Sequence, residues 1–109
     1  MPQFTQNHVS IDGERDGAVT LVPSDFLLGQ VGEPASFVPR ALGERVRAGD
    51  IVGRLEGTRQ SCHLYAPCDL VIVAHGARGV VAKLEGPFVD TPLDARDYER
   101  HLATLARKW

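Results

Sequence analysis

The side chains best equipped for chemistry in this sequence crowd its middle: Ser61, Cys62, His63, Cys68 and His75. A hydroxyl, two thiols and two imidazoles could in principle build a nucleophilic centre or hold a metal. Their spacing argues against both. A structural zinc site needs about four convergent ligands, usually with a Cys-x-x-Cys pair. Cys62 and His63 are adjacent, and neighbours on a strand point to opposite faces. Ser61-Cys62-His63 fails as a nucleophile and base for the same reason, and no oxyanion loop of the usual form is seen. Cys62 and Cys68 share a parity. On one continuous strand at about 3.3 Å per residue their Cα atoms stand roughly 20 Å apart. A disulfide needs less than about 7 Å, so a bridge requires a break at Pro67. No catalytic residue, metal ligand or cofactor site is assigned. Cys62 and Cys68 read as small, partly buried hydrophobes. His8 reads as a strand-end polar contact, His101 as a helix-surface residue.

The elements that would position these groups are short. Glycine and proline recur at close intervals between apolar runs, the pattern of an all-β chain. Residues 18–22 read as a strand, and 23–29 as a turn or two of helix with Ser24 as cap and Gly29 as stop. Ala35 to Val38 form a further strand, ended by Pro39. Gly43 to Asp50 make a polar turn pair around one inward Val46. Ile51 to Leu55 follow as a strand. Glu56-Gly57-Thr58-Arg59 reverses the chain, with Gly57 free to take a positive φ. The return strand runs from about Gln60 to Tyr65. Two more strands, 70–74 and 80–84, flank a turn at His75 to Gly79. The end is different in kind: Asp94 caps a helix on which Tyr98, Leu102, Leu105 and Trp109 line one apolar stripe, suited to packing on a sheet.

Composition narrows the classes. A chain of 109 residues with 43% hydrophobic residues suits one modest folded domain, expected to span 1–109. A formal charge of −2 and scattered arginines give no basic surface for nucleic acid. No apolar run approaches the roughly 18 residues needed to cross a bilayer. The first residues carry neither a basic nor an apolar signal region. A reducing, cytoplasmic setting is expected.

Gly43-Glu44-Arg45-Val46-Arg47-Ala48-Gly49-Asp50-Ile51-Val52-Gly53 is similar to the segment leading into the carrier hairpin of biotinyl and lipoyl domains, and Tyr65-Ala66-Pro67 matches the residues just past it. Within that superfamily the chain resembles the H protein of the glycine cleavage system. Phe4-Thr5-Gln6-Asn7-His8-Val9 resembles its aromatic-Thr-x-x-His opening, Gly17 to Leu21 its first long strand, and Leu27-Leu28-Gly29 the end of its short first helix. Leu93 to Leu102 resembles its closing helix. Each piece alone is weak, but they run in order over nearly the whole chain. The resemblance implies a mainly β barrel-sandwich hybrid with a short helix in the N-terminal half and a C-terminal helix. It implies a non-enzymatic module.

One departure dominates. Where the family carries a glutamate and, three residues later, the lysine that receives lipoate, this chain reads Glu56-Gly57-Thr58-Arg59. Lipoylation needs a neutral amine to attack an activated acyl group, and a lysine of pKa about 10.4 can supply one. The arginine guanidinium stays protonated and is a poor nucleophile. Arg59 therefore implies a chain without lipoate. The two lysines, Lys83 and Lys108, fall within a strand and near a helix end rather than at a hairpin tip. The expectation is a non-lipoylated docking or regulatory module that contacts a protein partner through Glu56, Gly57, Thr58 and Arg59, the partner being a glycine-cleavage or lipoate-related enzyme by resemblance. The alternatives are a carrier with an unrecognised group on Lys83 or a cysteine, and a metal or redox module at Cys62 and His63.

Overall fold

A computed structural model describes residues 3–5, 8–15, 17–76, 79–88 and 92–107. Eleven elements follow one another: β1 (Gln3–Phe4), β2 (Val9–Arg15), β3 (Ala18–Pro23), α1 (Asp25–Val31), β4 (Pro34–Pro39), β5 (Arg45–Val46), β6 (Ile51–Gly57), β7 (Ser61–Tyr65), β8 (Leu70–His75), β9 (Val80–Leu84) and α2 (Ala95–Arg107). They form a six-stranded sheet in the order β1-β2-β3-β9-β8-β5 and a three-stranded sheet in the order β4-β6-β7, antiparallel throughout. This is the expected mainly β architecture of a barrel-sandwich hybrid with one early and one closing helix.

Alternation builds the core. Val19 and Leu21 of β3, Leu70 and Ile72 of β8, and Val80 and Ala82 of β9 point inward, every second residue on each strand. Val46, the single inward residue of its turn pair, joins them with Val52 and Leu64 from the smaller sheet. Burying each of the valine, leucine and isoleucine side chains among them contributes roughly 1.5–3 kcal/mol.

The helices are placed by their caps. Ser24 precedes α1 and its hydroxyl accepts from Leu27 N–H at 3.4 Å. Gly29 does not stop α1, which runs two residues past it. The stop is Gly32, whose N–H makes the last helical bond, to the Leu28 carbonyl, and whose φ of +82° then turns the chain out of the helix. At the other end of the chain, Asp94 accepts from Asp97 N–H at 2.8 Å and opens α2 as expected. Tyr98 is then buried against the sheet, its ring stacked on Phe4 with centroids 4.4 Å apart. Leu102 is half-buried. The Leu105 side chain, Lys108 and Trp109 lie outside the described residues.

The break at Pro67 that a Cys62–Cys68 bridge would need is present, because β7 ends at Tyr65. Both cysteines are nonetheless free thiols. Gly76 N–H donates to the Gly79 carbonyl at 2.8 Å and closes the β8–β9 turn. Residues 77 and 78 of that turn are outside the described set.

Candidate functional site

The β6–β7 hairpin carries the residues singled out in the sequence, Glu56 to Arg59, with a tighter tip than the sequence suggests. Glu56 and Gly57 still belong to β6, and Glu56 pairs with Ser61. Gly57 N–H donates to the Gln60 carbonyl at 3.1 Å, so the reversal falls on Thr58 and Arg59. Both are exposed. Gly57 does not adopt a positive φ, contrary to expectation. Its glycine is needed for space: a Cβ there would overlap the Val31 carbonyl.

That overlap reflects a second feature, the seat of the tip. Thr58 N–H donates to the Glu33 carbonyl at 3.1 Å and Arg59 N–H to the Val31 carbonyl at 2.8 Å. In return Glu33 N–H donates to Thr58 Oγ1 at 3.1 Å, and Gln60 Nε2 donates to the Gln30 carbonyl at 3.1 Å. The tip is thus tied, by two main-chain and two side-chain bonds, to the C-terminal end of α1 and to Glu33 just past it. Carbonyls at a helix end lack intrahelical donors, and the hairpin amides supply them. Nothing local in the sequence points to this seat. Gly32-Glu33-Pro34 after the helix reads as an ordinary stop.

Around the tip the charges are arranged along one face of β4 and β6. Arg54 and Glu56 are two residues apart on β6 and share that face. Their side chains meet at 3.0 Å, and Ser36 Oγ donates to the other Glu56 oxygen at 3.2 Å. The pair is about half exposed, where such contacts are worth roughly 0–1 kcal/mol. Among the described residues no acidic group pairs with Arg59.

The α1 start holds a second polar constellation. The Tyr98 hydroxyl lies 2.8 Å from His8 Nδ1 and 2.7 Å from Ser24 Oγ, joining α2 to the β1–β2 turn and to the α1 cap. His8 stands in the left-handed region, with φ +66°. Its ring packs on Phe26 at 4.5 Å and lies 6.0 Å from His101. Burial, and then the neighbouring His101, push the His8 imidazole below its ordinary value. Burial lifts the Tyr98 phenol, against the Ser24 hydrogen bond and with the Asp25 charge. His8 is the polar contact expected of it, but its partners on α1 and α2 are far away in sequence.

The central thiols and imidazoles do not converge. Cys62 is half-buried opposite Leu55, and His63 is exposed opposite Arg54, on the other face of β7. Burial raises both cysteine thiols above their ordinary value. His75 is exposed, and its Nε2 meets the Arg40 carbonyl at 2.7 Å. Among the described residues no group of three or more His, Cys, Asp or Glu is placed to hold a metal. Lys83 is exposed in β9, paired with Ala18 and Val71. Among the described residues no helix is long and apolar enough to cross a membrane.

No family model matches the chain. It is 31% identical over 65 residues to a glycine cleavage system H protein of Paraburkholderia phymatum, an alignment covering 60% of this chain and 52% of the relative. A Burkholderia ambifaria protein of the same name is 31% identical over 72 residues, covering 66% and 57%. The chain therefore spans little more than half the length of the curated relatives it matches. The crystal structure of a glycine cleavage system H protein from Mycobacterium marinum superposes with a TM-score of 0.76 at 21% identity, covering 94% of this chain and 96% of that one. By fold over almost its whole length, and by sequence over about two thirds of it, this chain is similar to glycine cleavage system H proteins.

Proposed function

We propose that the chain is a non-lipoylated, non-enzymatic H-protein-like module, a single domain over 1–109, that docks on a protein partner through the hairpin tip. The observation carrying this reading is Arg59 at an exposed apex, at the position where the family resemblance places the acceptor lysine. An arginine there removes the amine that lipoate transfer needs and leaves a fixed cation in its place. Four hydrogen bonds, two to α1 and two to Glu33 just beyond it, keep that cation on a defined scaffold rather than on a loose loop. A preorganised contact loses less entropy on binding. Glu56, held by Arg54 and Ser36, supplies an anion beside it. The partner class is an enzyme of glycine cleavage or of lipoate metabolism, in the cytoplasm.

Titration of the labelled protein with a glycine decarboxylase, an aminomethyltransferase and a lipoate-transferring enzyme tests the reading. Saturable binding to one of them, weakened by Arg59→Ala, is expected. Absence of binding to all three, or binding indifferent to Arg59, refutes it.

A further inference from the structure

The seven residues of α1 connect two constellations at opposite ends. At its start the cap residue Ser24 bonds to Tyr98, and Tyr98 to His8. At its end the Val31 carbonyl, and the Glu33 carbonyl just beyond, hold the tip amides of Arg59 and Thr58. A helix of two turns has little stability of its own and depends on what fixes its ends. We propose that His8, Tyr98 and Ser24 form a proton-operated latch that sets, through α1, how firmly the hairpin tip is seated. The latch concerns the order of the tip and stands whether or not a partner binds there.

The hydrogen-bond inventory explains how a proton would act. Ser24 is 2% exposed, and one lone pair of its hydroxyl faces Leu27 N–H. With His8 neutral, Ser24 donates to the Tyr98 oxygen and Tyr98 donates to His8 Nδ1, so every group is satisfied. A protonated His8 has no acceptor nitrogen. Its Nδ1–H must donate to Tyr98, whose own proton then turns to Ser24. The Ser24 hydroxyl proton loses its acceptor in a buried place, and such an orphan is costly. The groups facing His8 add to this. His101 of α2 is another imidazole, 6.0 Å away, and Phe26 of α1 offers only an aromatic ring. The Asp25 carboxylate acts on Tyr98 and opposes loss of the phenol proton. The cap therefore weakens as His8 gains a proton, and the far end of α1 loosens with it.

The test is backbone amide exchange of Thr58 and Arg59, expressed as protection relative to the unstructured rate. Going from about pH 7.5 to about pH 5.5, across the ordinary imidazole range, protection at the tip should fall about tenfold while β8 and β9 amides hold theirs. His8→Asn keeps a residue tolerant of positive φ and removes the titration, so its tip protection should not change with pH. An equal fall in both proteins, or no fall in the wild type, overturns the latch. If His8→Asn does not fold, the wild type decides by NMR: tip amide shifts must titrate with the His8 ring midpoint. A tip midpoint that follows His63 or His75 instead also overturns it.

Discussion

Arg59 and Val31 meet backbone to backbone, the Arg59 N–H donating to the Val31 carbonyl at 2.8 Å. A contact made through main-chain atoms is independent of the side chain at position 59. It depends instead on glycine at two flanking sites. A Cβ on Gly57 would overlap the Val31 carbonyl, and one on Gly32 would crowd Thr58 and Arg59.

Gly57→Ala should therefore unseat the tip. Gly57 needs no special φ, so the effect is steric, and relief requires backbone to move. A loss of about 1–3 kcal/mol is expected, the usual range for overpacking. Urea denaturation measures it, and amide exchange should place the new mobility at 57–60 and 31–33. Unchanged stability with a protected tip would show that the two backbones are not in contact.

Tyr98 is the tie between α2 and the rest of the domain. Tyr98→Phe keeps the ring on Phe4 but leaves His8 and the buried Ser24 without their shared partner. About 1–3 kcal/mol of destabilisation is expected. Ending the chain before Leu93 is harsher. It removes Tyr98, Leu102 and the two main-chain bonds that Leu93 makes with Phe4 at 2.7 and 2.8 Å. The truncated protein should be unfolded or aggregated in thermal and scattering measurements. A cooperative melt near the original temperature would contradict this.

How far the sequence could show this structure depends on the range of each interaction. Strands such as β3, β8 and β9 were legible because period-two alternation is local. Ser24 and Asp94 were legible as caps because a cap lies within a few residues of what it bonds. Gly29 and Gly57 were misread for one reason. A glycine's role depends on what lies beside it in space, and neither the extra two residues of α1 nor the Val31 carbonyl is visible from neighbours in sequence. The seat at Val31 and Glu33 joins residues more than twenty positions apart, and His8 with Tyr98 spans 90. No spacing rule reports such pairs. The placement of residue 59 at an exposed chain reversal is legible, because apolar strand patterns flank Glu56 to Arg59 on both sides.

Stability should depend on pH through the latch residues, with opposite signs at the two ends of the scale. The folded His8 lies below its ordinary value of 6.5, so the unfolded chain binds a proton that the folded one resists. This contribution is complete above about 6.5 and is lost as pH falls from there towards the folded value. Tyr98 lies above its ordinary 10.0, so the folded chain keeps a proton that the unfolded one releases. Its contribution is complete below about 10 and is lost as pH rises beyond it. Urea midpoints for wild type and His8→Asn should converge as pH drops from about 7 to about 5. Parallel curves would mean His8 does not titrate between the folded and unfolded states.

Lipoate ligase with ATP and lipoate should leave the wild-type mass unchanged, since Arg59 offers no neutral amine and Lys83 lies in the middle of β9. Arg59→Lys alters that chemistry without altering the seat, because Thr58 and residue 59 are held by main-chain bonds. The lysine would stand at an exposed apex three residues after Glu56, and partial lipoylation is the expected outcome. It should be slow, since Gly57-Thr58 departs from the family's usual pair and Glu56 is already engaged by Arg54 and Ser36. The same variant measures what arginine does. If its planar fork binds a partner's carboxylate or phosphate, lysine reproduces that poorly, and affinity should drop by about 1–3 kcal/mol. Mass spectrometry and a binding titration on one sample separate the two. Labelling with binding intact marks a tip that kept its shape and lost only its acceptor. Weakened binding marks a tip rebuilt around the guanidinium. A lipoyl-sized mass gain on the wild type would overturn the non-lipoylated reading at once.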